Sequence, residues 1–382
     1  MFEFLKKLIK IKLSLKIPEQ KNILIYDNEG SEFITEVLDK GSYGILYARG
    51  ENLNLYVYLK LLLRLKFNYK DYLDEYIKFV NPKALITWID NNLNFYEYKN
   101  KKIKKIAIQN ARRTSLDNDL FFNLNKKKDN RFKYQSDYLF AHSLGVKKIY
   151  EKIINTKVCV TGSFRSNNEK IQFNKKKNDI LYISTFRNSQ LNDEKRILVK
   201  NYTEKDYKLN NWLDHELRLL KWLKLYSLAY KRPISILGSQ IDEKNEINFY
   251  KKNLGLKFNF IKKTKERKTY KILDESKLIV GIDSTLLNEA FGRGCNVVFL
   301  SYRGSLYPLS TRKFGWPENF SMNGKFWTRN PDYESFKGVM NFYNSKKNFV
   351  SKNLRKKIMA FDEGNKKFKS VLKEILIKLI IL

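Results

Sequence analysis

Short runs rich in Val, Ile and Leu, each bounded by turn-forming residues, alternate along this chain with longer stretches whose apolar positions recur at helical spacing. In the first half the pattern predicts strands at NILIYD (22–27), YGILYA (43–48), ALITWI (84–89), KIAIQ (105–109), DYLFA (137–141) and KVCVTG (157–162). Helices are predicted between them, over 31–39, 54–65, 69–79 and 146–154. A polar, aperiodic stretch, SNNEKIQFNKKKN (166–178), then interrupts the alternation and predicts a linker. Beyond it come ILYIST, a helix over 212–230, PISILG, a helix over 244–254, KFNFI, LIVGI and NVVFLS. The closing stretch from Tyr333 is helical in pattern and basic.

Such βα alternation predicts parallel sheets covered by helices on both faces. The expected fold class is α/β, two Rossmann-like domains facing a central cleft, with the C-terminal helices packing back on the N-terminal domain. The expected divisions are 1–170, whose first 20 residues form a basic apolar leader, then 178–355, then a helical tail at 356–382.

The chain has 382 residues, too many for one ordinary core, and its 43% apolar content with 24 Tyr and 26 Phe excludes wholesale disorder. Cys159 and Cys295 sit in apolar β-type runs with no metal-ligand or disulfide spacing, and are expected to be inert. Lysines interrupt the N-terminal MFEFLKKLIKIKLSLKIP every few residues, which does not fit a signal peptide, and the final ILIKLIIL falls short of a membrane span. A cytoplasmic protein is expected.

A formal charge of +35 has three readings: a nucleic-acid partner, an anionic membrane surface, or AT-rich codon usage that inflates Lys and Asn everywhere. The lysines are spread from end to end, as codon usage would give. No RNA- or DNA-binding signature is present, so no nucleic-acid partner is expected. Lysines interleaved with Leu, Ile and Phe near the termini favour attachment to the inner membrane surface.

Chemistry-bearing residues gather just past the strands, where open α/β sheets bind ligands. Asp27, Glu29 and Gly30 follow the first strand, and Asp90, Asn91 and Asn92 the third. Gln109, Asn110, Arg112 and Arg113 follow the fourth, His142 the fifth, and Gly162, Ser163 and Arg165 the sixth. In the second half, IDSTLLNEAFGRG puts Ser284 and Thr285 at a helix start, where hydroxyls and unpaired N–H groups can hold a phosphate. Glu289 stands one turn further in, able to accept from sugar or ribose hydroxyls. The bland alternative is that Asp-Ser-Thr only caps the helix and Gly292 and Gly294 only end it. Asp117-Asn118-Asp119 matches a metal-binding Asp-x-Asp in a polar loop, and no metal site is expected there.

The run from Ser276 through Ser284-Thr285, Glu289-Ala290, Gly294 and Val297-Val298 resembles the donor-domain element of GT-B glycosyltransferases, with Ser276 where an Asp is common. WIDNNLNFYEY, IAIQNARRTSLDNDLF, SDYLFAHS, VTGSFRSNN and FDEGNKKF resemble a bacterial family of surface carbohydrate biosynthesis proteins, similar to capsule and lipopolysaccharide transferases that include those handling Kdo. Ala111 departs from the family's Gly, which makes that loop less permissive. The resemblance implies a metal-independent glycosyltransferase without cofactor, taking a nucleotide-sugar donor and a lipid-linked or polysaccharide acceptor. A teichoic-acid-type polyol-phosphate transferase and a non-enzymatic basic protein that binds nucleic acid or a membrane surface are the alternatives. It implies an acceptor-side N-terminal domain with Asp90, and after it Glu29, as the base, and with Asn91, Asn92, Gln109, Asn110, Arg112 and His142 lining the cleft. Ser284, Thr285, Glu289, Arg187, Arg165, Gly162 and Ser163 would then meet the donor.

Overall fold

The structure is a computed structural model that describes residues 12–65, 68–113, 133–173, 178–186, 212–239, 243–263, 268–302, 314–345 and 348–378. Strands β1 (Lys12–Ser14), β2 (Ile23–Tyr26), β3 (Tyr43–Leu46), β4 (Asn52–Asn54), β5 (Ala84–Thr87), β6 (Lys104–Ile108), β7 (Gln135–Ala141) and β8 (Asn155–Val160) form the first half. Helices α1 (Ser31–Thr35), α2 (Leu55–Leu62), α3 (Tyr69–Val80), α4 (Leu93–Glu97), α5 (Leu144–Ile153) and α6 (Phe164–Asn167) accompany them. The second half holds β9 (Asn178–Ile183), β10 (Ile234–Leu237), β11 (Asn259–Ile261), β12 (Ser276–Gly281), β13 (Val297–Leu300) and β14 (Trp327–Thr328). Its helices are α7 (Trp212–Tyr230), α8 (Lys244–Leu254), α9 (Lys268–Asp274), α10 (Thr285–Arg293), α11 (Tyr333–Asn341), α12 (Lys352–Ile358) and α13 (Lys366–Lys378).

Two separate six-stranded parallel sheets result, ordered β3-β2-β5-β6-β7-β8 and β11-β10-β9-β12-β13-β14. β1 and β4 make a small parallel pair of their own. In each large sheet the chain first winds outward in one direction and then returns to build the other side. The order reverses between β2 and β5 in the first sheet and between β9 and β12 in the second. At such a reversal the loops leave in opposite directions and open a crevice at the carboxyl ends of the strands.

Both faces of each sheet are covered, which is why the central strands read as unbroken apolar runs rather than alternating ones. Val57, Leu61, Leu73, Ile77 and Tyr150 from α2, α3 and α5 cover one face of the first sheet. Ile34 and Phe164 cover the other, joined by Phe368, Leu372 and Ile375 of α13. The second sheet lies between α7, α8 and α11 on one side and α9, α10 and α12 on the other. The apolar C-terminal segment therefore packs on the first sheet up to Lys378, instead of offering its apolar side to a membrane; residues 379–382 lie outside the described residues.

Most of the observed strands end one or two residues before the predicted runs do, β7 and β11 excepted. Asp27, Ala48 and Gln109 turn out of the ladder and become the first residues of the edge loops. The expected linker is tightly held over its first residues, while 174–177 lie outside the described residues. Ser166 belongs to α6, and the carbonyls of Ser166, Glu169 and Lys170 accept hydrogen bonds from Arg293 at 2.9, 3.0 and 3.1 Å. Arg293 also pairs with Asp274 at 2.9 and 2.6 Å, both side chains being fully buried. The return path is equally close. Gly162 has φ +84°, and a Cβ there would sit 1.7 Å from the Ala360 carbonyl oxygen, so only glycine lets the segment after α12 cross the end of β8.

Replacing Arg293 by Met leaves Asp274 charged and buried without its counter-charge, and takes from the carbonyls of Ser166, Glu169 and Lys170 the donors they share. The expected loss is about 3–5 kcal/mol of unfolding free energy. A urea midpoint shift checks it, and adding Asp274→Leu to the same chain should restore part of the loss.

Candidate functional site

Asp90 lies at the reversal crevice of the first sheet, just past β5, but its carboxylate does not face open space. It is fully buried and accepts from Arg113 Nε at 2.8 Å, from a second Arg113 nitrogen, from the Tyr150 hydroxyl, and from the Asn110 amide at 3.2 Å. The Tyr96 hydroxyl donates to the Asp90 carbonyl at 2.8 Å, and Asn110 Oδ1 takes a further Arg113 bond at 2.7 Å. Burial, and after it the Asp90 charge, raises the pKa of both Tyr96 and Tyr150, so both stay protonated donors. These donors occupy the lone pairs a proton acceptor would need. Asp90 is the anchor of the crevice floor, which corrects its expected role as base.

Glu29 is placed differently. β2 is followed by Asp27, whose backbone has φ 104°, an uncommon conformation that turns the chain sharply toward the crevice. Asp27 accepts from the Glu29 amide at 3.1 Å and from Arg49 Nε at 2.8 Å, while Arg49 also pairs with the Glu29 carboxylate. Gly30 follows with φ +73°, and a Cβ there would meet Trp88 Cδ1 at 2.0 Å. The turn therefore presents Glu29 outward, its side chain 54% exposed, over a floor made of Trp88. Among the described residues of the loops after β2 and β5, Glu29 is the carboxylate that solvent reaches.

The remaining first-sheet residues divide between frame and rim. Gln109 is buried, donating to the Ala111 carbonyl at 2.9 Å and accepting from the His142 amide at 2.8 Å. His142 Nε2 lies 3.0 Å from the Gln109 carbonyl, and its buried Nδ1 has no hydrogen-bond partner among the described residues. Asn92 caps α4, while Asn91 and Arg112 are half-buried at the rim. Gly162 serves the close approach of Ala360 described above rather than a ligand. Ser163 caps α6 and donates to Glu289 at 2.6 Å.

Glu289 is thus spoken for as well. Although one turn into α10, it is buried, accepts from Ser163 and from the Tyr270 hydroxyl at 3.1 Å, and forms an ion pair with the Arg165 guanidinium 3.8 Å away. Its carboxylate joins the second sheet's helix layer to α6 of the first half. The expected bond to a sugar or ribose hydroxyl is replaced by this latch. The latch charge raises the Arg165 pKa, and the guanidinium remains 42% exposed beside it.

Ser284 and Thr285 sit at the reversal crevice of the second sheet, half-buried, with the Ser284 side chain accepting from the Leu286 amide at 3.2 Å. Thr285 Oγ1 accepts from the Arg112 amide at 3.4 Å, a contact between the start of α10 and the loop after β6. The two crevices therefore open onto one another. Arg187 and Asp117-Asn118-Asp119 lie outside the described residues. Arg49, Tyr150, Tyr270 and Arg293 stand outside the strand-end and helix-start patterns of the sequence. Only Arg293 had a signal, a cation in the last turn of a helix otherwise marked by its cap.

Because both oxygens of Asp90 are bound, Asp90→Asn should cost about 3 kcal/mol or more of stability by leaving Arg113 buried without its counter-charge. A chain of unchanged thermal midpoint and lost activity would contradict this assignment. Burial holds the His142 imidazole at about 4 instead of 6.5, with the Asp90 charge opposing. The folded chain thus refuses a proton that the unfolded chain accepts as pH falls through 6.5. The stabilising contribution is complete above the unfolded value and declines toward the folded one, by about 3 kcal/mol in all. His142→Gln should flatten that part of a plot of thermal midpoint against pH.

No curated protein sequence matches this one. Among solved structures, the fold is similar to the wall teichoic acid polymerase TagF, with 11% identity over 95% of this chain and 91% of that one and a TM-score of 0.51. It is also similar to S. aureus MnaA, solved with UDP, with 11% identity over 95% and 98% of the two chains and a TM-score of 0.51. These likenesses show the GT-B architecture of two facing Rossmann-like domains. Residues 106–376 match a family described as "putative O-antigen biosynthesis protein", a span running from β6 through both sheets into α13. The chain belongs to that O-antigen biosynthesis family, and its place is in surface polysaccharide synthesis.

Proposed function

We propose that this chain is a glycosyltransferase that moves a sugar from a nucleotide-activated donor to a growing cell-surface polysaccharide or lipopolysaccharide acceptor. The observation that carries the reading is the contact of Thr285 Oγ1 with the Arg112 amide, which brings the reversal crevices of the two sheets together. Each crevice holds one half of what transfer needs. On the second-sheet side, Ser284, Thr285 and the first-turn N–H groups of α10 face an anion with the positive end of a nine-residue helix. Arg165 adds a half-exposed guanidinium paired with Glu289, one turn further along the same helix.

On the first-sheet side Glu29 is the proton acceptor. The acceptor hydroxyl gives its proton to the Glu29 carboxylate as its oxygen bonds to the anomeric carbon. The bond from that carbon to the donor's phosphate oxygen breaks, and the electron pair leaves with the nucleotide. Arg49, paired to both Asp27 and Glu29, orients the carboxylate. Ser284, Thr285 and Arg165 then receive the charge that develops on the phosphate.

A panel of nucleotide sugars and nucleotide-activated polyols tests this by calorimetric binding and by product analysis. A glycosidic product supports the proposal, whereas a phosphodiester product would make the chain a polyol-phosphate transferase. Ser284→Ala with Thr285→Ala should weaken donor binding, each lost bond to phosphate costing about 1.5–3 kcal/mol at most. Glu29→Gln should lower kcat by about 10²–10⁴-fold while leaving donor affinity nearly intact. A double alanine chain that bound every donor as tightly as the parent would reduce the helix start to a cap.

A further inference from the structure

α2 breaks the rule that surface helices carry a polar outer face. Its sequence, LYVYLKLL, holds a single charged residue, yet only Val57 and Leu61 are buried. A helix apolar all round belongs inside a protein or against something apolar. Here the outer arc points away from the sheet: Tyr56, Tyr58 and Leu59 are exposed, and Leu63 and Leu65 just beyond are 88% and 80% exposed. The adjoining strand repeats the anomaly, with Leu13, Leu15 and Ile17 all exposed. Asn54, which caps α2, donates from Nδ2 to the Lys16 carbonyl at 2.7 Å, so strand and helix form one surface. Eight of the eighteen large apolar side chains that stand exposed among the described residues lie on it.

The charged side chains of these two segments have one sign. Residues 12–17 and 55–65 contain Lys12, Lys16, Lys60 and Arg64 and no Asp or Glu. Lys60 lies over the Phe79 ring at 4.4 Å and Arg64 reaches Glu75 at 3.1 Å, while Lys12 and Lys16 are exposed. Apolar side chains interleaved with cations suit the boundary of an anionic bilayer, where the apolar groups enter the acyl region and the cations meet the headgroups. A second copy is a poorer occupant. A twofold contact sets the same patch against itself, and this patch would oppose its own cations. Among the described residues no helix is long and apolar enough to cross a membrane, so the surface would rest on the bilayer rather than span it.

We propose that the outer face of α2, with Leu13, Leu15 and Ile17, docks this protein on an anionic lipid surface. The face adjoins the crevice mouth: β4, which leads into α2, begins three residues after Arg49, the partner of Glu29. A bilayer beneath it would bring membrane-borne molecules to that mouth. The inference stands apart from the transfer reaction and is tested without it.

The full chain should sediment with vesicles of phosphatidylglycerol and phosphatidylethanolamine at low salt and far less with phosphatidylcholine alone. Leu59→Glu with Leu63→Glu should reduce that partition by about tenfold or more. Both positions are solvent-facing, so the thermal midpoint and solution donor binding should not move. Lys12→Gln with Lys16→Gln provides a second variant, expected to weaken binding and its salt dependence together. Equal partition of parent and both variants would overturn the proposal, as would equal capture by neutral vesicles. It would also fall if the parent were a dimer that Leu59→Glu with Leu63→Glu splits into monomers, since a second copy would then be the occupant.

Discussion

A single buried guanidinium fixes how the two halves of this protein meet. All five N–H donors of Arg293 are used: two on Asp274, and three on the backbone carbonyls of the segment joining the sheets. Tyr270 and Phe361 lie against its plane at 5.2 and 5.4 Å. Burying both charges is costly, and the arrangement is tolerable because no donor is left without an acceptor. Arg293 is also the last residue of α10, whose first residues face the crevice. The helix start proposed to hold the donor is therefore tied through its own far end to the connection between the domains.

Other buried carboxylates follow the same logic on a smaller scale. Asp90 gathers Arg113, Tyr150 and the loop after β6 into one floor. Glu246 takes the Ser239 amide at 2.9 Å and the Ser184 hydroxyl, and Glu216 takes the Thr185 amide at 3.0 Å, pinning the ends of β9 and β10 from the helices above. Each is an acid that a ligand could have used and that the fold uses instead. What remains at the mouth is Glu29, paired with Arg49, Arg165, paired with Glu289, and Ser284 and Thr285 at the start of α10.

Most of the architecture was legible in the chain because both signals are local. Apolar runs of four to six residues between turn formers gave the strands, and helical periodicity gave α7 and α8 to the residue. The small β1–β4 pair and the two-residue β14 were not legible, being too short to show any period. Strand ends showed where chemistry would gather, yet not which of those side chains would face a ligand. Asp90 and Asn91 are adjacent and equally polar, but the partners that bury Asp90 stand 23 and 60 residues away. Glu289 is closed off by Ser163, 126 residues earlier. A carboxylate's availability depends on such distant donors, which no local pattern records.

The placement of α13 carries a consequence for how the chain is made. Phe368, Leu372 and Ile375 complete a face of the first sheet whose last strand ends at Val160. From Val160 to Lys366 the ribosome must add 366 − 160 = 206 residues. At about 5–20 residues per second, this leaves the sheet with an open apolar face for ~10–40 s. Ile23, Ile25, Ile86 and Ile106 all belong to that face. The first domain begun is thus among the last finished, and through that interval Ile34 and Phe164 shield part of that face while the part α13 covers stays open.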